Sequence, residues 1–311
     1  MPLTVSPGRF VVVARVALAS LVTIVVTGSL VRLTGSGLGC DDWPACNERR
    51  FVDVTTGHAA IEQVNRLFTG VVAASVIAAA LASFVVRPRR RILGWLAIGQ
   101  VAGVAAQVVI GGVVVLTGLN PWSNMVHFLV SVVLVTFGVL LVDEARGERP
   151  NGSLSHVSSL LVLGGGGFAA LAMVLGTVVT ATGPHAGDAD APRFNLDLGS
   201  VARTHSAAVL ACLACLVVLS LRLVRSPEER AVLGGTIQTM LAVGLLQGFV
   251  GYLQYFTGVP AALVAVHIAL SMFFWIAVVR AVRTALIAAR PLSPAGPGSR
   301  APVRQPEEAP R

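Results

Sequence analysis

Residues 92–116 read ILGWLAIGQVAGVAAQVVIGGVVVL. The stretch carries no charged side chain, and as a helix rising 1.5 Å per residue it is long enough to cross a hydrocarbon layer of about 30 Å. Arg87-Pro88-Arg89-Arg90-Arg91 stands before it and Thr117-Gly118-Leu119-Asn120-Pro121 follows it, so charge and turn residues close both ends. A barrel strand would alternate apolar and polar side chains over about ten residues, and this stretch does not alternate. Outward from it the pattern recurs at about 11–32, 62–85, 123–142, 158–181, 201–222, 231–253 and 261–282. Eight spans predict an all-α integral membrane protein. The whole chain of 311 residues agrees, with 55% hydrophobic and only 12% charged side chains, about half the charge of a soluble domain. These observations exclude a water-soluble enzyme with one compact core and a bitopic receptor with a large ectodomain.

The 23 basic residues, all Arg, outnumber 15 acids and give a net charge of +8. They lie between spans, so they read as topology signals and no nucleic-acid partner is expected. Arg87 to Arg91, Arg146 and Arg149, Arg225 and Arg230, and Arg283 and Arg290 mark one side. The positive-inside rule makes that side, with both termini, cytoplasmic. The loops 33–61, 117–122, 182–200 and 254–260 then face outward; they hold Asp41, Asp42, Glu48, Asp53, Asp188, Asp190 and Asp197. Arg9 and Arg15 precede the first span as in a signal peptide, but no small-residue cleavage site follows, so it reads as a retained helix. The Pro, Gly and Ser-rich tail from Pro291 is expected to be disordered.

Gly28, Gly111, Gly176 and Gly251 are each followed six residues later by a Thr-Gly pair. Taken singly, such glycines are caps or close-packing positions. Four in register at the outer ends of the odd-numbered spans predict two four-helix halves, residues 1–145 and 146–285, related by duplication in the same orientation. Residues 286–311 form the tail.

Three histidines lie just inside the outer ends of even-numbered spans: His127, His205 and His267. Asn65 takes the matching place in the second span. Asn65 to His205 and His127 to His267 are each 140 residues apart, as duplication requires. Two imidazoles at one depth on separate helices suit axial ligation of one planar metal macrocycle. The competing account is histidine packed between helices or at the headgroup level.

The first half adds His58, Glu62 and Arg66 at four-residue steps on one helix face. The second half has Ala202 where Glu62 would fall. Glu62 is thus the candidate for proton chemistry in a low-dielectric site, with a plain ion pair to Arg66 as the alternative. His156 and His185 fall in loops and receive no role. Cys40 and Cys46 frame an outer loop, Cys40-Asp41-Asp42-Trp43-Pro44-Ala45-Cys46, whose spacing permits a disulfide; a metal pair lacks a further Cys or His nearby. Cys212 and Cys215 read as buried thiols within a span.

Val31-Arg32-Leu33-Thr34-Gly35-Ser36-Gly37-Leu38-Gly39-Cys40, followed by Trp43-Pro44 and Cys46, resembles the haem A synthase family. Glu62 with Asn65-Arg66, Asn120-Pro121-Trp122 leading to His127, Arg203-Thr204-His205, and His267 extend the resemblance to about residue 285. The resemblance implies a bacterial plasma-membrane oxidoreductase that oxidises a ring methyl of haem O to a formyl group, through hydroxylated intermediates, giving haem A. It implies resident haem B on His205 and His267, substrate haem on His127, Glu62 as the essential carboxylate, and a Cys40–Cys46 disulfide. Many relatives have His where this chain has Asn65, a poor iron ligand, so either His127 binds alone, leaving an open face, or His58 or a water completes the site, with Asn65 lining the substrate pocket. Implied partners are haem O, haem A, haem O synthase during handover, an electron acceptor and the lipid bilayer, with a homo-oligomer left open. A bis-His haem B electron carrier is the alternative from another class, and a haem exporter or assembly scaffold is a third.

Overall fold

The computed structural model describes residues 4–288, all of whose long elements are helical. They are α1 (Pro7–Leu33), α2 (Gly57–Val85), α3 (Arg91–Leu116), α4 (Pro121–Arg146), α5 (His156–Thr182), α6 (Leu198–Arg225), α7 (Pro227–Phe256) and α8 (Ala261–Ala288). Each is long and apolar enough to cross a membrane, and the chain is a multi-pass membrane protein. Arg290 and the tail from Pro291 lie outside the described residues.

Several helices run a turn beyond the hydropathy limits because their ends are built from polar capping residues, which a hydropathy window scores as loop. Ser6, Thr56, Ser155, Asp197 and Ser226 each accept a backbone N–H of the first turn through the side chain, as does Asn120 from Trp122. Such a cap satisfies a donor that has no partner within the helix. Pro7, Pro121 and Pro227 open three helices, where the missing N–H costs nothing. Gly147 ends α4 at φ 69°, a conformation suited to glycine.

Helix α1 packs on α2 and α4, and α3 on α2 and α4; α5 packs on α6 and α8, and α7 on α6 and α8. α8 also meets α1 and α4, and α5 meets α4. At the Arg-rich side α8 is tied to α4 by charge. Arg283 donates to Glu144 at 2.5 Å, Arg280 pairs with Asp143 at 3.4 Å, and Arg90 reaches both the Glu144 carboxylate and its backbone carbonyl. Deeper along the same seam, Trp275 Nε1 donates to Thr136 Oγ1 at 2.9 Å.

The densest packing lies toward the Arg-rich side. Phe10, Ala14, Ala17, Leu21, Leu93 and Leu141 belong to one buried cluster; Leu216, Leu219, Leu233 and Ile237 belong to another. At the opposite ends packing is thinner. Within α4 no residue between Pro121 and Val132 is fully buried, within α6 none before Ala208, and within α8 none before Met272. His127, His205 and His267 sit in these loosely filled segments.

Candidate functional site

Each of the four registered glycines faces the side chain at the matching depth on the next helix. A Cβ added at Gly111 would lie 3.5 Å from His127 Cε1, at Gly176 3.3 Å from His205 Cε1, and at Gly251 3.1 Å from His267 Cε1. At Gly28 the neighbour is Asn65 Nδ2, at 3.8 Å. The glycines therefore let three imidazoles and one amide settle against the helix backbone, and a Cβ would crowd the ring at Gly176 and Gly251 while making ordinary contact at Gly28 and Gly111.

The imidazoles differ in their remaining contacts. His205 Nδ1 lies 2.9 Å from the carbonyl of Ala172, one turn before Gly176. His127 Nδ1 and His267 Nδ1 are buried and have no partner among the described residues. The backbone carbonyls of these two residues accept from Gln107 Nε2 at 2.8 Å and from Gln247 Nε2 at 3.0 Å.

The second-helix position is occupied in another way. Asn65 Oδ1 accepts from Thr27 Oγ1 at 2.8 Å, so this oxygen is held by α1. His58 stands at the mouth of the first half. Its Nδ1 shares a hydrogen bond with buried Ser36 at 2.9 Å. Together with Gly35, Leu38, Gly39, Thr56, Asp188 and Ala189 it lines an outer cavity of about 510 Å³. Ser36 thus engages one ring nitrogen of His58 and leaves the other.

Glu62 is 5% exposed and both carboxylate oxygens are engaged. Oε1 accepts from Arg66 Nε at 3.0 Å and Nη2 at 2.6 Å, and Oε2 accepts the backbone N–H of Cys40 at 2.7 Å. Arg66 also donates to the carbonyls of Cys40, Asp42 and Ala45, and its guanidinium lies 5.3 Å from the Trp43 ring centre. The ion pair left open by the sequence is formed, and it gathers the outer loop onto α2. The Cys40–Cys46 disulfide closes that loop. Gly39 lies directly on the helix start, since a Cβ there would be 2.4 Å from the backbone of His58. Trp43 rests in a notch at Gly112, where a Cβ would come within 2.5 Å of its ring. Gly111 opens toward His127 and Gly112 receives the loop, so one glycine pair ties the cover to the histidine beneath it.

Residues 11–58 match the model for the cytochrome oxidase assembly protein family. The haem A synthase of Listeria welshimeri is 35% identical over 124 residues, 39% of this chain and 40% of the relative. That of Geobacillus kaustophilus is 34% identical over 131 residues, 40% of each chain. The Bacillus pumilus enzyme is 33% identical over 130 residues, 40% of this chain and 42% of its own. The likeness is to the haem A synthase family, over part of the chain. The matched stretch spans about two fifths of the length of these relatives.

A haem A synthase handles haem, so the donor set can be tested against that group. An iron-bound imidazole presents one ring nitrogen to the metal and gives the other N–H to an acceptor. His205 meets this through Ala172, which leaves Nε2 for iron. His267 and His127 stand on α8 and α4, which pack on each other, in segments without fully buried residues. In the second half His205 meets this requirement and His267 supplies a second imidazole on another helix, so the donor set is the one a bis-imidazole haem needs. The first half offers the His127 imidazole; Asn65 is engaged by Thr27, while His58, bonded to Ser36 through Nδ1, keeps its Nε2. The structure brings Glu62, Arg66 and the two cysteines into one cluster. Sequence reasoning missed Gln107, Gln247, Thr27 and the seat of Trp43. The 140-residue separation of the two glutamines was a signal that the histidine comparison had already exposed. The Trp43 contact left none, since it joins a loop to a distant helix.

Proposed function

We propose that this chain is a haem A synthase in which two duplicated four-helix halves divide the work. The first half binds haem O through His127, and the second holds haem B between His205 and His267. The observation that carries the proposal is that each of the three imidazoles lies against a glycine of the preceding helix, in a segment without fully buried residues. Resident haem B, when bound, supplies one-electron redox chemistry to the site. His205, oriented by the Ala172 carbonyl, and His267, seated against Gly251 as His205 is against Gly176, would hold that group. His127 holds the substrate from one face. In this reading the substrate's ring methyl passes through hydroxylated stages to a formyl group, formally taking up one water and releasing four protons and four electrons, the electrons going to an external acceptor, and haem A leaves.

Glu62 is the proton-handling group of this reading. Its Oε2 is held only by the Cys40 amide, so lifting of the loop would free a carboxylate oxygen to take a proton as the methyl is oxidised. Trp43 at Gly112 closes the first half from the outer side and keeps bulk water from His127. Arg-rich loops and both termini face the cytoplasm, and the disulfide loop faces outward.

The test is mass-resolved chromatography of haems from a bacterial host that makes haem O but no haem A, with and without this chain. Haem A or a hydroxylated haem O should appear with the chain and disappear with Glu62→Ala, while Val71→Ala, on an exposed helix face, changes nothing. Bound haem B with haem O unaltered in the presence of the host's respiratory acceptors would instead establish an electron carrier. The saturated Glu62–Arg66 pair favours that second reading, since a purely structural clamp needs no reaction chemistry.

A further inference from the structure

Asn65 stands where duplication places a histidine, and its surroundings differ to match. Gly28, which it faces, follows Thr27, whereas Gly176, which faces His205, follows Leu175. Thr27 donates to Asn65 Oδ1 at 2.8 Å, while the Ile24 carbonyl lies farther from the same hydroxyl, at 3.4 Å. Ile24 precedes Gly28 by four residues, as Ala172 precedes Gly176. The backbone carbonyl that orients His205 thus has a counterpart on α1, but there the Thr27 hydroxyl stands beside it and orients the amide instead.

The bond to Thr27 takes up Oδ1, the amide atom whose lone pairs could bind a metal, and leaves the two N–H donors of Nδ2. Nδ2 is the atom nearest Gly28, 3.8 Å from a Cβ placed there. Against Gly111, Gly176 and Gly251 the nearest atom is the imidazole Cε1, whose neighbour in the ring is Nε2. The amide therefore ends about where the rings reach Cε1, one atom short of Nε2, and carries donors in place of a lone pair. Helices α1 and α3 each pack on both α2 and α4, which do not pack on each other, so Asn65 and His127 stand on opposite corners of the first half. Within α2 no residue between Gln63 and Val72 is fully buried, so the segment around Asn65 is as thinly packed as that around His127. His58 is seven residues before Asn65, about 10 Å farther out along the helix.

Resting on the haem reading above, we infer that the first half holds a site for a small hydrogen-bond-accepting ligand, water or an anion, on the side of the haem away from His127, with Asn65 Nδ2 as its donor. Thr27 is the positioning residue for that amide. A second histidine here would close the iron to such a ligand. An amide one atom shorter leaves room for it and holds it by a hydrogen bond.

The test titrates sodium azide into purified full-length protein that carries resident haem B and has been reconstituted with ferric haem O. Haem B between His205 and His267 has no open side, so the spectral change reports the first half. Wild type should bind azide, and Asn65→Leu should bind it roughly tenfold less tightly, the worth of a hydrogen bond to a charged acceptor. Carbon monoxide is a weak acceptor, so its affinity for the ferrous protein should differ by less than about threefold between the two. Thr27→Val keeps the amide but frees it to turn, and should fall between them. The double variant Thr27→Leu with Asn65→His copies the second-half pair and should give a low-spin haem that binds no azide. Unchanged azide affinity in Asn65→Leu overturns the inference. Equal losses for azide and carbon monoxide also overturn it, by showing that residue 65 acts through space alone. If the Leu variant does not fold, Asn65→Ala carries the comparison. Wild type that takes up haem O yet binds no azide overturns it too, because another ligand then fills the open side. Wild-type protein that binds no haem refutes the haem reading itself, an outcome distinct from any of these.

Discussion

Replacing Arg66 by Met should release the outer disulfide loop from α2 without unfolding the helices. Arg66 and Glu62 form a 2.6 Å ion pair with side chains only 13% and 7% exposed. Arg66 adds three bonds to the carbonyls of Cys40, Asp42 and Ala45. Breaking a buried pair from one side costs about 3–5 kcal/mol, because the remaining charge is left uncompensated. Residual exposure at the membrane surface places this pair near the lower figure, about 3 kcal/mol, or roughly 150-fold in an opening equilibrium. The helices are packed through separate clusters well inside the loop, so the loss should be local.

The Cys40 amide reports it directly, since its N–H donates to Glu62 Oε2 and exchanges only when that bond opens. Hydrogen exchange followed by mass spectrometry on lipid-nanodisc protein should show peptides spanning 38–47 exchanging roughly 150-fold faster in Arg66→Met, by the same conversion, with peptides from the inner half of α4 unchanged. In a double-mutant cycle with Glu62→Gln, the second substitution should add little once the first is made. If exchange in 38–47 rises less than about fivefold, or the two effects simply add, the buried pair does not hold the loop and the reasoning from burial fails.

The glycine register gives a graded series. Gly251→Ala and Gly176→Ala place a Cβ 3.1 Å and 3.3 Å from an imidazole carbon, and each should destabilise by about 1–3 kcal/mol and, on the proposed haem reading, disturb the haem spectrum of the purified protein. Gly28→Ala meets Asn65 at an ordinary 3.8 Å and should leave thermal stability and spectrum unchanged; equal damage at all three positions would show that helix flexibility, not ring contact, is at stake. In the outer loop, hydrogen bonds from the Thr55 hydroxyl and backbone N–H, then from Asn47, hold the Asp53 carboxyl well below its ordinary range. A depressed folded-state value means the stabilisation is fully present above the unfolded value of about 3.9 and is lost as pH falls through the folded one. Limited proteolysis of 47–55 should therefore be flat between pH 7 and 5 and rise only under strong acid, and Asp53→Asn should be cut equally at all these pH values.

Eight spans, their limits to within a few residues and the depth of His127, His205 and His267 were legible in the sequence. The physical reason is that a bilayer leaves backbone groups no partner but their own helix, so apolar length alone sets each span. Once spans are fixed, residue number converts to depth, which is why the Thr-Gly register and the 140-residue separation could be read without coordinates. What each side chain does at its depth was decided by neighbours from other helices. Asn65 stands at the place of a histidine, yet only packing brings Thr27 from α1 to its oxygen. Glu62 read first as a candidate for proton chemistry, with the ion pair to Arg66 as the competing account, until loop 40–46 lay over α2 and filled both its oxygens. Trp43 found Gly112 across a loop and a helix boundary, a contact with no periodicity to betray it. The sequence by itself determined how many times the chain crosses the membrane and where its histidines stop, since both follow from one helix at a time. Which of those polar groups remain free for chemistry was settled only by tertiary structure, because hydrogen bonds between segments depend on distances that no single helix contains.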